Sequence, residues 1–417
     1  MKKDFGDEGG AHLMVEPNPL DDQKSEVCKK CNEKAVVAKL MCAECFVQSL
    51  RHKFRASLGS TKIVRRHSTV LLNFTGTAES VCLTEMIRYA FEEATHKRLC
   101  FDLELVFIDE HCVNQVPFDV NRRIKKMEGV TKVLAQFPRF KCHYTSIALP
   151  PKDELKLINE LTIDDMKTTM KSEEKFKCNF KSLQSLSSKQ DFLDVTRTDI
   201  LRHSAIALKC QYVFLCDTSI ELANRLITKM SLGRGSSVAL DVAFCDDRVE
   251  KLKFVRPIKE LIAQDALTYA KFESLDHLEP SGFGDDHGQH ASIQNLTSRF
   301  IGDLQQNFPS TVSTVFRTCS KIMPIKNAEP VDDNLNLSSH FDNLHITDQT
   351  KRCVICKCFL DYSNSETLHA IDFSRQVSNN VANDSTKTES PAVAAKNHLC
   401  HGCQNIFIGL DDLQDFL

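Results

Sequence analysis

The 417-residue sequence has no long apolar run and almost no net charge. No stretch approaches the roughly 18 consecutive apolar residues that a membrane span needs, so no spanning segment and no membrane partner are expected. The first 26 residues are polar and acidic with no apolar core segment, which predicts no secretory leader, a disordered acidic tail over 1–26 and a cytoplasmic location. Net charge is only −3, so no overall basic field advertises nucleic acid and any such surface must be local. Hydrophobic residues make up 42% of the chain, enough for a sizeable core, and the length predicts two to three domains.

Cysteine, by contrast, is plentiful. Eighteen cysteines in an intracellular chain are not expected to form a disulfide framework, because reducing compartments keep thiols free. Eight of them fall into four C-x-x-C pairs, two near each end: Cys28/Cys31 with Cys42/Cys45, and Cys353/Cys356 with Cys400/Cys403. Ten residues separate the first two pairs, a spacing at which two short knuckles supply four thiolates to one tetrahedral zinc. A redox C-x-x-C would instead stand alone near a βαβ unit. The second two pairs are joined through a Ser/Asn/Thr-rich stretch over 374–397 that reads as disordered. Loop closure costs grow only logarithmically with length, so that excursion does not forbid a second four-thiolate site, with Cys358 and His401 as competing ligands. Most of the scattered cysteines read as small buried hydrophobes.

The central pattern is α/β. Val70–Phe74 reads as a strand, Thr75-Gly76-Thr77-Ala78 as a small-residue turn, and Ser80–Thr95 as a helix, the outline of a phosphate-binding loop in which free helix-start N–H groups face an anion. Strands follow at Leu99–Glu110 and Cys142–Leu149, with a short helix over Glu128–Phe137 between them. Residues 152–190 read as a helical insertion or mobile loop. Next come an amphipathic helix over Asp191–Cys210, with Ile206 apolar and Arg202 polar, and a buried strand over Tyr212–Leu215. Cys216 to Ser219 cap a helix over Ile220–Leu232, and the flexible turn Gly233-Arg234-Gly235 presents a single exposed cation. A strand over Val238–Phe244 and a helix ending near Phe272 complete the series. A Gly/Asp/His-rich loop over Ser281–His290 and a polar one over Asn327–Thr350 close the α/β domain near residue 325. Strands alternating with helices predict a parallel sheet with its ligand site at the strands' carboxyl ends.

Basic residues concentrate in one place. A helix over Phe46–Leu58, closed by Gly59, carries Arg51, Lys53 and Arg55, and Lys62, Arg65 and Arg66 extend the cluster to the central loop. Phosphate contacts need only positioned positive charge, so these residues and Arg234 are candidate RNA contacts, with a solvated helix face as the alternative for each.

These motifs together, with His52-Lys53-Phe54-Arg55-Ala56, Leu58-Gly59, Leu232-Gly233-Arg234-Gly235 and Val255-Arg256-Pro257, resemble the cytosolic tRNA 2-thiolation proteins of the PP-loop ATP-pyrophosphatase superfamily. The resemblance spans roughly 25–275 and the C-terminal cysteines. It implies a Rossmann-like PP-loop domain over 67–325, flanked by a zinc knuckle with a basic helix over 27–66 and a linker with a cysteine module over 326–417. It also implies a substrate, the wobble uridine of certain tRNAs, adenylated and then thiolated with sulfur from a thiocarboxylated ubiquitin-related modifier. Two related subunits form a heterodimer, and the one resembled here lacks a full active site.

The departures from the superfamily pattern point the same way. Its loop is Ser-Gly-Gly-x-Asp-Ser; here Thr75, Gly76, Thr77, Ala78, Glu79 and Ser80 stand at those positions. Thr75, Gly76 and Ser80 keep the hydroxyls and one glycine. A β-branched Thr77 resists positive φ and crowds the phosphate's approach, so efficient ATP turnover is not expected although nucleotide binding stays open. Active relatives also carry a Cys-x-x-Cys where this chain has Asp191 to Val195, with no thiol. Cys210 and Cys216 read as structural. A non-catalytic partner subunit with no catalytic residues is therefore the leading reading, ahead of an adenylating sulfurtransferase and a zinc-dependent scaffold.

Overall fold

The structure, a computed structural model, describes residues 27–93, 98–113, 120–148, 155–162, 165, 170–235, 237–280, 282–284, 288, 290–319, 352–358, 360 and 398–410. The expectations for 1–26, 327–350 and 374–397 lie outside the described residues, as does part of that for Ser281–His290. Two compact units divide the chain, Met1–Leu50 and Arg51–Leu417.

In the first unit, short antiparallel bridges pair Val27 with Ala35 and Ala38 with Met41, and Lys29 N donates to Leu40 O at 3.0 Å. These tight turns, with Asn32, Lys39 and Leu40 at positive φ, fold the two C-x-x-C pairs toward each other. Helix α1, Ala43–Thr61, starts immediately after Cys42. It does not stop at Gly59 as expected. The left-handed residue that ends it is Lys62, at φ 49°.

The larger unit is built on a seven-stranded sheet. In chain order its elements begin with β1 Thr69–Asn73, α2 Ala78–Glu92, β2 Asp102–Asp109, α3 Val120–Leu134, β3 Lys141–Ser146 and β4 Lys156–Leu157. They continue with α4 Met170–Ser182, α5 Leu186–Ala207, β5 Tyr212–Phe214, α6 Ser219–Ser231, α7 Val238–Val242, β6 Cys245–Val249 and β7 Leu252–Val255. Helices α8 Ala263–Phe272, α9 Ile293–Asn307, α10 Pro309–Cys319 and α11 His401–Ile406 complete the described α-helices, with short 3-10 turns at His111–Val113 and Ile158–Glu160. The sheet order is β4-β3-β2-β1-β5-β7-β6, parallel except for the two edge strands β4 and β6. Helices cover both faces, so the central strand β1 reads as a continuous apolar run with Val70, Leu71 and Leu72 fully buried.

Chain order reverses between β1 and β5, which pair Leu71 with Val213. A crevice opens outside the carboxyl ends of strands at such a switch point, and that is where the Thr75–Ser80 loop lies. The insertion is mostly helical where described but also supplies the edge strand β4; Phe176 and Phe180 of α4 stack 6.0 Å apart, and Phe180 meets Phe283 edge-on at 5.0 Å.

Three local expectations are corrected. Val238–Phe244 is not a strand; Val238 and Val242, one helical turn apart, both pack on Leu222 and Leu226 of α6, and the edge strand follows at β6. On α5, Ile206 is 59% exposed while Arg202 is buried, its Nη1 donating to Asp199 Oδ1 at 2.6 Å. Arg234 is not an exposed cation: it is 4% exposed. Among the described residues, no helix is long and apolar enough to cross a membrane.

Candidate functional site

The loop after β1 is closed by its own side chains. Thr75 Oγ1 lies 3.0 Å from Thr77 Oγ1 and donates to Ser80 Oγ at 3.2 Å, while Ser80 Oγ donates to Thr77 O at 3.0 Å. Thr77 Oγ1 donates to Glu79 Oε2 at 2.6 Å. A carboxylate in the first turn of α2 complements the helix dipole from within the chain. Gly76 adopts φ +80°, and a Cβ there would sit 2.9 Å from Leu278 Cδ1. Leu278 is drawn in by its backbone N–H, which donates to Gly76 O at 2.8 Å. Sequence reading missed Leu278, because only the fold brings it onto the loop.

The loop opens on a cavity of about 710 Å³ whose walls also include Cys216, Asp217 and Arg225 after β5, Glu110 after β2, and Cys356 and Cys358 from the C-terminal segment. Most of its cations are paired with carboxylates across the walls, while Lys126 lies 6.0 Å over the Phe107 ring. Asp217 accepts from Arg225 Nη1 at 2.6 Å and from Arg256 Nε at 2.9 Å. Arg248 pairs with Asp241 and with Asp246, and Arg197 donates to Glu110 at 2.7 Å. Burial acts to raise the Asp217 pKa, but Arg225 and Arg256 outweigh it and hold the carboxyl below its ordinary range. Behind β2, Arg123 consumes Asp109 at 2.7 Å, together with Tyr144 and Glu173.

Cysteine placement departs from expectation at one point. Cys210 is buried, and loss of solvent pushes its thiol up to about 12. Cys216 is only half-buried and faces the cavity; burial first and the Asp217 charge second push its thiol well up.

Both four-cysteine groups assemble. Cys28, Cys31, Cys42 and Cys45 lie with their sulfurs within 4.8 Å of one another, and so do Cys353, Cys356, Cys400 and Cys403. Metal–sulfur bonds of about 2.3 Å in a tetrahedron set neighbouring sulfurs about 3.8 Å apart. Cys31 and Cys42 are separated by 3.9 Å and Cys356 and Cys400 by 3.5 Å, so each group fits one tetrahedral ion. A four-iron cluster would hold its thiolates farther apart. Cys358 and His401 stand outside the second group: Arg248 Nη1 donates to Cys358 Sγ at 2.9 Å, and the His401 ring lies against Gly233.

The candidate RNA contacts divide. Lys53, Lys62, Arg65 and Arg66 are exposed. Arg51 lies 3.7 Å over the Tyr89 ring and donates to Tyr269 Oη at 3.0 Å and Glu273 at 2.7 Å, and Arg55 donates to Glu93 at 2.7 Å. Arg234 is buried between Asp191 and the C-terminal cysteines.

A family model described as Cytoplasmic tRNA 2-thiolation protein 2 matches residues 292–405. The chain is 35% identical over 450 residues to the Cytoplasmic tRNA 2-thiolation protein 2 of Aedes aegypti, covering 98% of both chains. It is 36% identical over 426 residues to that of Drosophila melanogaster, covering 98% of this chain and 97% of the relative. Among solved structures it is similar to the U34-tRNA thiolase NcsA from Methanococcus maripaludis, described with its 4Fe–4S cluster. There the TM-score is 0.51 and the identity 14%, over 73% of this chain and 90% of that one. Matched at 35–36% identity over 98% of its length to these relatives, and sharing the fold of a tRNA thiolase, the chain belongs to the Cytoplasmic tRNA 2-thiolation protein 2 family.

Proposed function

We propose that this chain is the non-catalytic, tRNA- and partner-binding subunit of a heterodimeric cytosolic tRNA thiouridylase, which thiolates wobble uridine with sulfur from a thiocarboxylated ubiquitin-related modifier. The observation that carries this reading is the loop itself. Leu278 rests on Gly76, Thr77 stands at the second glycine position and Glu79 supplies a negative charge at the helix start. Arg225, Arg256, Arg248 and Arg197 already have carboxylate partners, so a nucleoside triphosphate would compete with those carboxylates for the cavity's guanidinium groups. Zinc at Cys28/Cys31/Cys42/Cys45 and at Cys353/Cys356/Cys400/Cys403 suits the sulfur spacing. The tRNA surface is assigned to exposed Lys53, Lys62, Arg65 and Arg66.

Reconstitution tests the reading. Alone, the chain releases no pyrophosphate and thiolates no tRNA; mixed with a catalytic PP-loop subunit, ATP and sulfur donor, it is required for thiolation. Thiolation by the catalytic subunit unaided would overturn it. Pyrophosphate release by this chain alone, abolished by Gly76 substitution, would favour an adenylating enzyme. The triple change K53E/R65E/R66E is expected to weaken tRNA binding and to lower its salt dependence by about one unit of log–log slope per lost phosphate contact.

A further inference from the structure

Arg234 takes no part in the function proposed above, yet it is buried, charged and held from two sides. Its Nε and Nη2 donate to Asp191 Oδ2 at 3.0 and 2.7 Å. Its Nη1 turns the other way, 3.4 Å from Cys403 Sγ and 4.0 Å from Cys400 Sγ. Asp191 is held in turn by Lys229 Nζ at 3.0 Å. A guanidinium this deep is tolerated only when its donors are used, and here the thiols take the edge that the carboxylate leaves over.

The approach is built into the backbone on both sides. A Cβ on Gly402 would fall 2.4 Å from Arg234 Cγ, and one on Gly233 would fall 2.7 Å from His401 Cδ2. Glycine at each position lets the turn after α6 and the start of α11 close on one another. Around them Cys353, Leu399, Cys403 and Phe407 share one apolar cluster with Leu193 and Val195 of α5. Within the same group, Cys356 lines the cavity beside Cys358, which Arg248 holds, and Arg234 is itself in that lining.

We propose that Arg234 is a positioning residue of the C-terminal four-cysteine centre, and that through it metal occupancy there sets the wall of the cavity over the loop. Four thiolates on one divalent ion carry a net negative charge, and the guanidinium offsets it while drawing Cys400 and Cys403 toward Asp191. Partners one shell outside a metal site orient its ligands, and their loss typically weakens metal binding about 10–100-fold. A bridge serving stability alone would be satisfied by Asp191 and would leave metal affinity unchanged.

The test uses the full chain and zinc. Competition against a chromogenic chelator should show the C-terminal centre of Arg234→Met weakened about 10–100-fold while the N-terminal centre keeps its affinity, with Arg234→Lys recovering part of the loss. Maleimide labelling read by mass spectrometry should show Cys356 and Cys358 protected by zinc in the wild type and labelled at subsaturating zinc in Arg234→Met. Wild-type zinc affinity in a folded Arg234→Met chain, or labelling of both cysteines that ignores zinc, overturns the proposal. Should Arg234→Met not fold, Asp191→Asn, which keeps the guanidinium and weakens only its anchor, is judged by the same criteria and is expected to shift affinity in the same direction by a smaller factor. None of these readouts depends on the chain being non-catalytic.

Discussion

Gly76 occupies a position that two independent constraints reserve for glycine. Its φ of +80° is strained for any L side chain, and Leu278 fills the space a Cβ would need. Gly76→Ala is therefore expected to lower stability by about 2 kcal/mol, read as a drop in urea midpoint at unchanged slope. In a Leu278→Ala background the same change should cost less, because the steric part disappears and only the backbone strain persists. Equal costs in both backgrounds would show that Leu278 does not press on the loop. At the same scale, Arg51 and Arg234 show why a basic residue in a sequence is not yet a surface charge. Each has a nearby acceptor supplied by a remote segment: Glu273 for Arg51, and Asp191 for Arg234.

Elements were legible where local signals agreed. The run Val70 to Phe74, the polar turn and the helix after it appear as β1, the loop and α2, and the strand expected over Leu99–Glu110 appears as β2. At α6, Thr218 ends the loop as expected, its backbone N–H and its hydroxyl donating to Glu221 Oε2 at 2.7 and 2.9 Å. Thr218→Ala should remove the hydroxyl half of this start and cost about 1 kcal/mol, measured by chemical unfolding; an unchanged midpoint would mean that Glu221 and the backbone suffice. The run Val238 to Phe244 failed because its apolar spacing serves either period. Packing of Val238 and Val242 on Leu222 and Leu226 selected the helix.

On the scale of the whole molecule, the near-zero net charge has a counterpart inside. The cavity pairs its arginines with its own carboxylates, which reduces the field available to draw in a charged ligand. The C-terminal cysteines, far beyond α5 in the chain, belong to the same compact unit as the sheet and share its apolar cluster. Cys403→Ser should therefore act on the entire larger unit. Its calorimetric transition is expected to fall by about 5 °C or more, with faster amide exchange in α5. A transition unchanged in temperature, with exchange rising only around α11, would show the centre to be a local staple.

By itself the sequence determined the α/β class, the two four-cysteine sets and the altered loop, because strand and helix periodicity, C-x-x-C spacing and residue shape are local properties. Which cations stay on the surface, what covers Gly76, and where the C-terminal thiols stand relative to the loop were decided only by the tertiary structure. Those outcomes depend on contacts between segments far apart in the chain, such as Arg234 with Cys403 and Gly76 with Leu278, and no local pattern encodes the partner.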